Sequence, residues 1–459
     1  MANIKFGRVV MKFTQYFTDA SHTMCKRDIY PIPEEMEGAK RIDVSDVASV
    51  ECFGGFGVAL TGASCYCLSR MKKEERTELL RSIFTTEGLG LSVARLTIGS
   101  SDYSARLYSY DDVAGDTSLE HFSLALDEEY VIPMIKEIIE ICPELYIFAS
   151  PWSPPGWMKT GGGMCGGYMR EEYIECYADY IIKYLSEYER HGIVVRALTP
   201  QNEPENSQFG RMPACIWHPD TEVRFVKILK EKLNALGMNT KVWMLDHAFN
   251  DWRRAKWQLD TYPELSEIAD GVAFHYYGGN PEDTSPLREA YPQLEYHFTE
   301  AGPRLNDNYA TDRCKWISVI SRTLACGFST FTGWNLMLDE TGGPNIGPFM
   351  CGGLVTRSSI SGELSYSGQY KAFSHISRAI KRGAAVYPVF IHENTSGLAA
   401  YPKHRESVVG IAAKNTDGSF ALVLSNHHTE KRQLQFCYEG ERYYIEMLPD
   451  SICSITDFT

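Results

Sequence analysis

The sequence predicts an α/β chain: a (β/α)₈ TIM barrel with an additional antiparallel β-sandwich. Three observations predict it. Between residues 51 and 383, short apolar runs alternate with Gly/Pro/Asn-rich loops and longer helical stretches. After Gly383 the texture changes to short strand-like runs separated by turn residues. With 44% apolar and 23% charged residues, the composition is that of a globular chain, which excludes disordered, collagenous and coiled-coil classes.

The elements follow in order. Ile4–Phe13 and Ala39–Val47 read as strands that precede the barrel. Chain termini often lie close together, so residues 1–50 are expected to add strands to the terminal sandwich. Within 51–383 the expected strands are Cys52–Ala59, Ser92–Ile98, Glu144–Ala149, Val194–Thr199, Lys241–Leu245, Gly271–His275, Glu295–Thr299 and Ser329–Gly333. Helical patterns lie between them at Lys72–Phe84, Glu128–Ile141, Arg170–Tyr188, Asp220–Leu236 and Asp312–Cys326, with a last one at Gln369–Arg382. In the third, Tyr173, Tyr177, Tyr180, Tyr184 and Tyr188 recur every three or four residues and form one packing face. A doubly wound sheet is the alternative, but Gly54-Gly55-Phe56-Gly57 lacks the G-x-G-x-x-G order of its phosphate loop. Residues 384–459 hold six short strands, and Asp417-Gly418 is a hairpin signal between two of them.

Charge narrows the partners. With 59 acidic and 45 basic side chains the net charge is −14, which disfavours a nucleic-acid backbone or an anionic membrane surface. Lys5, Arg8 and Lys12 interrupt any apolar core at the start, so neither a signal peptide nor a transmembrane anchor is expected. The 13 cysteines are odd in number and lack zinc spacing. Reduced thiols in a cytoplasmic protein are the expectation.

Barrel active sites lie at the C-terminal ends of the strands. The fourth expected strand runs into Gln201-Asn202-Glu203-Pro204 and the seventh into Thr299-Glu300-Ala301-Gly302. Two carboxylates facing each other across a barrel mouth at about 5–5.5 Å suit retaining glycoside hydrolysis, one as nucleophile and one as acid, then base. Strand-end glutamates that merely cap helices are the plainer alternative.

Longer strings sharpen this. Gly54-Gly55-Phe56-Gly57, the run Arg95 to Ser104 (RLTIGSSDYS), the run Ser150 to Lys159 (SPWSPPGWMK), Gln201-Asn202-Glu203-Pro204, and Trp334-Asn335-Leu336 with Gly342-Gly343-Pro344-Asn345 stand in this order. Together they resemble glycoside hydrolase family 30, the glucosylceramidase-like β-glycosidases. The resemblance covers residues from about 40 to 380 and implies that Glu203 is the acid/base and Glu300 the nucleophile. It implies further that Asn202 binds the sugar 2-hydroxyl and that Arg95 keeps Glu300 anionic. Asp102, Trp152, Trp334 and Asn345 would line the innermost sugar site, with Trp157 either lining it or bracing its loop. His275 and Tyr277 end the sixth strand like the family's His-aromatic-Tyr segment, and Tyr277 would donate to Glu300. Asp246-His247 is another barrel-mouth pair, with the member that reaches substrate left open. The loop Arg211–Pro219 is expected to shape the leaving-group side.

No metal or other cofactor is implied, because retaining hydrolysis uses only the two carboxyls. The expected partner is a β-linked glucoside or a related glycan or glycolipid. The expected activity is a retaining, exo-acting β-glucosidase similar to glucosylceramidase. Endo-β-1,6-glucanase and β-xylosidase are the alternatives within the family, and a carbohydrate-binding protein without catalysis is the alternative outside it.

Overall fold

In the computed structural model, which describes residues 12–392 and 408–457, the alternating pattern closes into eight parallel strands. They are β1 (Gly55–Leu60), β2 (Val93–Ile98), β3 (Tyr146–Pro151), β4 (Ala197–Leu198), β5 (Lys241–Ala248), β6 (Gly271–His275), β7 (Glu295–Glu300) and β8 (Thr330–Gly333). Neighbours pair in chain order, and β8 returns to β1 through Thr330 opposite Gly55. β1 and β2 are buried along their whole length, which is why they read as near-continuous apolar runs. Gly57 has a steric reason: a β-carbon there would sit 2.3 Å from the Val93 carbonyl oxygen on the neighbouring strand.

The strand ends are where regularity breaks. On β5, Leu245 and Asp246 both take positive φ (71° and 55°), and the pairing with β6 slips between Ala273 and Phe274. Such a bulge re-aims a side chain, here Asp246. Helices follow the strands as the periodicity predicts, including Lys73–Phe84, Val131–Ile141, Ile174–Arg190 and Pro219–Ala235. The tyrosine face of Ile174–Arg190 is buried at Tyr177, Tyr180, Tyr184 and Tyr188. Its last member, with Tyr108 and Tyr110, donates a hydroxyl hydrogen bond to the buried carboxylate of Asp127.

The second unit comprises the described residues up to Phe53, Thr311–Ala325, and those from Lys371 on. Its ten strands are antiparallel except where Leu434–Phe436 run parallel to Lys40–Ile42. Phe13–Thr18 pairs with Ser451–Thr456 and Lys40–Val44 with Ala385–Ile391, so N-terminal strands do complete the C-terminal sandwich. Residues 4–11 of the expected first strand lie outside the described residues. Asp417-Gly418 turns the hairpin between Val408–Lys414 and Phe420–Asn426, with Gly418 at φ 87°. Phe13, Ile42, Leu422, Phe436, Tyr443 and Ile455 form part of the apolar core. The helix Arg313–Ala325, which the barrel pattern includes, groups with this unit.

Candidate active site

One basic side chain on β2 organises the mouth of the barrel. Arg95 is the charged residue in the apolar run VARLTI and is fully buried. Its guanidinium donates to Glu300 on β7, to Asp246 Oδ2 on β5 at 2.8 Å, to Asn202 Oδ1 after β4 at 2.9 Å and to Ser150 Oγ on β3 at 3.2 Å. Asp246, equally buried, also accepts from Ser150 Oγ at 2.8 Å, Thr199 Oγ1 and Thr299 Oγ1 at 2.7 Å, and His275 Nε2 at 2.9 Å. Burial opposes its charge, but Arg95, His275 and these donors outweigh burial and hold its carboxyl well below the usual range. Five strands are thus tied through one carboxylate.

His275 bridges two carboxylates, Asp246 through Nε2 and Glu203 Oε1 through Nδ1 at 3.3 Å. Burial disfavours its cation, yet the charges of Glu300 and Asp246 and the hydrogen bonds to Asp246 and Glu203 push the imidazole up to about 9. At neutral pH it is therefore an imidazolium that donates to both. Burial likewise opposes ionisation of Glu203, but the His275 hydrogen bond and charge hold that carboxyl below its ordinary range.

Glu203 itself sits at φ 50° directly after Asn202, with its N–H on the Asp246 carbonyl at 3.0 Å. An oxygen of Glu203, a nitrogen of His275 and an oxygen of Glu300 lie within 4.8 Å of one another. The spacing would fit a metal ion, but His275 engages carboxylates with both nitrogens and Arg95 adds a cation to the same cluster. The chemistry of the set is proton transfer and hydrogen bonding.

Above this floor opens a cavity of about 150 Å³. Glu203 and Glu300 both line it, together with Asp102, Trp152, Asn202, Tyr277 and Trp334. Trp152 and Trp334 stack on each other with ring centroids 5.2 Å apart, and Arg95 lies 4.8 Å from the first ring. Asn202 has its carbonyl on Arg95, which leaves its amide N–H groups for the cavity. Asp102 is buried, and its Oδ1 has no hydrogen-bond partner among the described residues. Burial, then the charges of Glu300 and Glu203, raise its carboxyl well above the usual range. Tyr277 lines the cavity and stands 40% exposed at its rim, and burial of its hydroxyl, then the charge of Glu300, raise its phenol well above the usual range.

The family model for the glycosyl hydrolase family 30 TIM-barrel domain matches residues 53–377. The chain belongs to glycosyl hydrolase family 30. Among its relatives, an endo-1,6-beta-D-glucanase of Neurospora crassa is 29% identical over 406 residues, 84% of this chain and 81% of that protein. The lysosomal acid glucosylceramidase of Mus musculus is 26% identical over 400 residues, 82% of this chain and 75% of that protein. The solved structure of the endo-beta1,6-glucanase BT3312 superposes with a TM-score of 0.84 at 26% identity, covering 97% of this chain and 98% of that one.

The structure corrects one residue expected of a family 30 glycoside hydrolase and places the others. Asn345 does not reach the cavity: its amide donates to the Phe349 carbonyl at 2.5 Å and accepts from Gly347 N at 2.6 Å, and Phe349 lines the wall instead. Arg95 stands beside the nucleophile as expected, and it and His275 lie beneath the carboxylates, where they hydrogen-bond Glu300 and Glu203. Of the Asp246-His247 pair neither lines the cavity; His247 Nδ1 turns to Asp251 at 2.5 Å. In the loop Arg211–Pro219 only Met212 lines the cavity, while Cys215 and Trp217 are buried, the indole against Tyr177 and Phe225. Trp157 braces its loop by donating to the Asp111 carbonyl at 3.0 Å.

Five lining residues escaped sequence reasoning: Asn206, Gln208, Arg304, Phe349 and Cys351. All stand in loops after β4, β7 or β8. Position after a strand end was their only signal, and it does not say which loop residue turns inward.

Proposed function

We propose that this enzyme is a retaining hydrolase of β-glucosidic bonds, with Glu300 as nucleophile and Glu203 as acid/base. The observation that carries the reading is the separation of the two carboxylates. Oxygens within 4.8 Å of each other match the close spacing of retaining enzymes, about 5–5.5 Å, and fall short of the about 6.5–9.5 Å of inverting ones.

In the first step Glu300 attacks the anomeric carbon, the bond to the leaving oxygen breaks, and Glu203, acting from its minor protonated form because His275 favours its carboxylate, gives that oxygen its proton. Arg95 holds Glu300 in place through a charge-assisted hydrogen bond. In the second step water attacks the glycosyl-enzyme, Glu203 takes the proton of the water, and Glu300 departs. Two inversions return the β configuration. Asn202 donates to the 2-hydroxyl, a bond that strengthens as the oxocarbenium-like state forms. The unpartnered Oδ1 of Asp102 takes up another sugar hydroxyl, and the buried Trp152–Trp334 stack walls the cavity beside the pyranose.

For substrate, β-1,6-linked glucan is our first choice, supported by the name shared by the Neurospora relative and the BT3312 structure. A terminal β-glucoside such as glucosylceramide is the second, supported by the mouse relative. A panel of β-1,6-glucan, glucosylceramide, aryl and alkyl β-glucosides and β-xylosides, read by product size and anomer, tests both. Release of glucose alone from the glucan favours exo action, and oligosaccharides favour endo action.

The roles are tested by Glu300→Gln and Glu203→Gln. The first is expected to lower turnover of every substrate by about 10⁴-fold or more. The second is expected to leave the first step partly intact on aryl glucosides, whose leaving group needs little protonation, to accumulate the glycosyl-enzyme for want of the base, and to yield β-glucosyl azide when azide is added. An α-azide, or equal losses of Glu203→Gln on aryl and alkyl substrates, would overturn the assignment.

A further inference from the structure

The loop after Glu203 turns on two consecutive non-glycine residues in the left-handed region, Gln208 at φ 51° and Phe209 at φ 53°. Backbone of this kind is strained and persists where its surroundings over-determine it, often at functional sites. Here it sends adjacent side chains apart. Phe209 stands 89% exposed, while Gln208 is 5% exposed and lines the cavity.

Gln208 Nε2 donates to Glu203 Oε2 at 2.5 Å. Its backbone N–H donates to Asn206 Oδ1 at 2.9 Å, and Asn206 Nδ2 reaches the same Glu203 oxygen at 3.3 Å. The other oxygen faces His275. Glu203 is therefore gripped from two sides by groups of different kind. His275, on a barrel strand, brings a charge that favours the carboxylate alone. Gln208, on a loop, brings a neutral amide that fixes the plane of the carboxyl group with a single short hydrogen bond.

We propose that Gln208 is a positioning residue of the hydrolytic reaction, orienting Glu203 for proton transfer and favouring its carboxylate form. The inference rests on the acid/base reading of Glu203. The other titratable groups facing that carboxyl are His275, His247, Asp246, Glu300, Asp102 and Tyr277. Gln208→Met leaves all of them in place and adds no charge, so a shift in its pH profile reports on the amide.

The experiment compares Gln208→Met and Gln208→Glu with the unaltered enzyme, measuring kcat/KM against pH on an aryl and an alkyl β-glucoside. Glu203→Gln is run alongside. Gln208→Met removes the donor and is expected to lower kcat/KM on the alkyl substrate about 10–100-fold, with a smaller loss on the aryl one. Losing a donor to the carboxylate raises the Glu203 pKa, so the alkaline limb moves to higher pH. Gln208→Glu keeps the shape and adds a like charge, which moves that limb further, by about one pH unit or more. A purely structural role would lower both substrates equally and leave the limb in place, and that result overturns the proposal. If Gln208→Met does not fold, Gln208→Leu, which also removes the donor without adding a charge, carries the test through its pH profile and its aryl-to-alkyl ratio. Should Glu203→Gln itself lose equally on both substrates, the acid/base reading falls, and this inference with it.

Discussion

The floor and the rim of the barrel mouth hold polar residues in different ways. On the floor, Arg95, Asp246 and His275 come from β2, β5 and β6, are fully buried, and form a closed lattice of charge-assisted hydrogen bonds. On the rim, Gln208, Arg304 and Phe349 come from loops, and their side-chain contacts rest on neutral groups: the Gln208 amide donates to Glu203 beside Asn206, and Arg304 lies over the Tyr277 ring at 5.9 Å. Strands deliver side chains at fixed spacing, so charges that must not move can be matched there. Loops supply shape, and shape is what differs when one barrel takes different leaving groups.

The largest expected effect comes from breaking the floor. Arg95→Met takes the shared guanidinium from the buried carboxylates of Glu300 and Asp246, at a cost of about 3–5 kcal/mol. A markedly lower thermal midpoint is expected, and the residual folded enzyme should be nearly inactive. An unchanged midpoint would mean that the floor is no more coupled than the rim.

The next effect sharpens the comparison through pH. The folded His275 is raised to about 9, so its charged form stabilises the floor. That contribution is fully present below about pH 6.5 and is lost as pH rises through about 9, amounting to at most about 3 kcal/mol. Unfolding by denaturant should show stability declining across this window. His275→Gln should be less stable below about pH 6.5, and the difference should close toward pH 9. A constant difference across the window would show that His275 acts by shape alone.

The smallest effect is on the rim. Asn345→Ala removes two hydrogen bonds within its own loop and no contact with the cavity. A loss of about 1–2 kcal/mol is expected, with KM for a β-glucoside changed less than about threefold. Asp102→Asn, by contrast, should raise KM clearly. Equal effects of the two would return Asn345 to the sugar site.

Legibility followed the same division. Strand-borne Glu300, His275 and Arg95 stood out because a polar residue that interrupts or ends an apolar run is costly to bury unless a partner awaits it. Trp334 and Glu203 were legible from the strand ends they follow. Asp246 was visible only as half of a pair, since its inward turn depends on a bulge that no spacing encodes. Gln208 was invisible because its direction depends on two left-handed residues with no glycine to announce them.

The sequence by itself determined the eightfold alternation, the sandwich with its N-terminal strands, and the pair Glu203 and Glu300. Periodicity of two and of 3.6 residues is a local property, and strand ends are marked by local turn chemistry. Only the tertiary structure decided that Arg95 and His275 lie under the carboxylates, that Asn345 turns into its own loop, and that Gln208 faces Glu203. Those placements depend on which groups meet after the barrel has closed. A buried charge or amide is satisfied by whichever partner the closed fold brings within about 3 Å, however far apart the two stand in the chain.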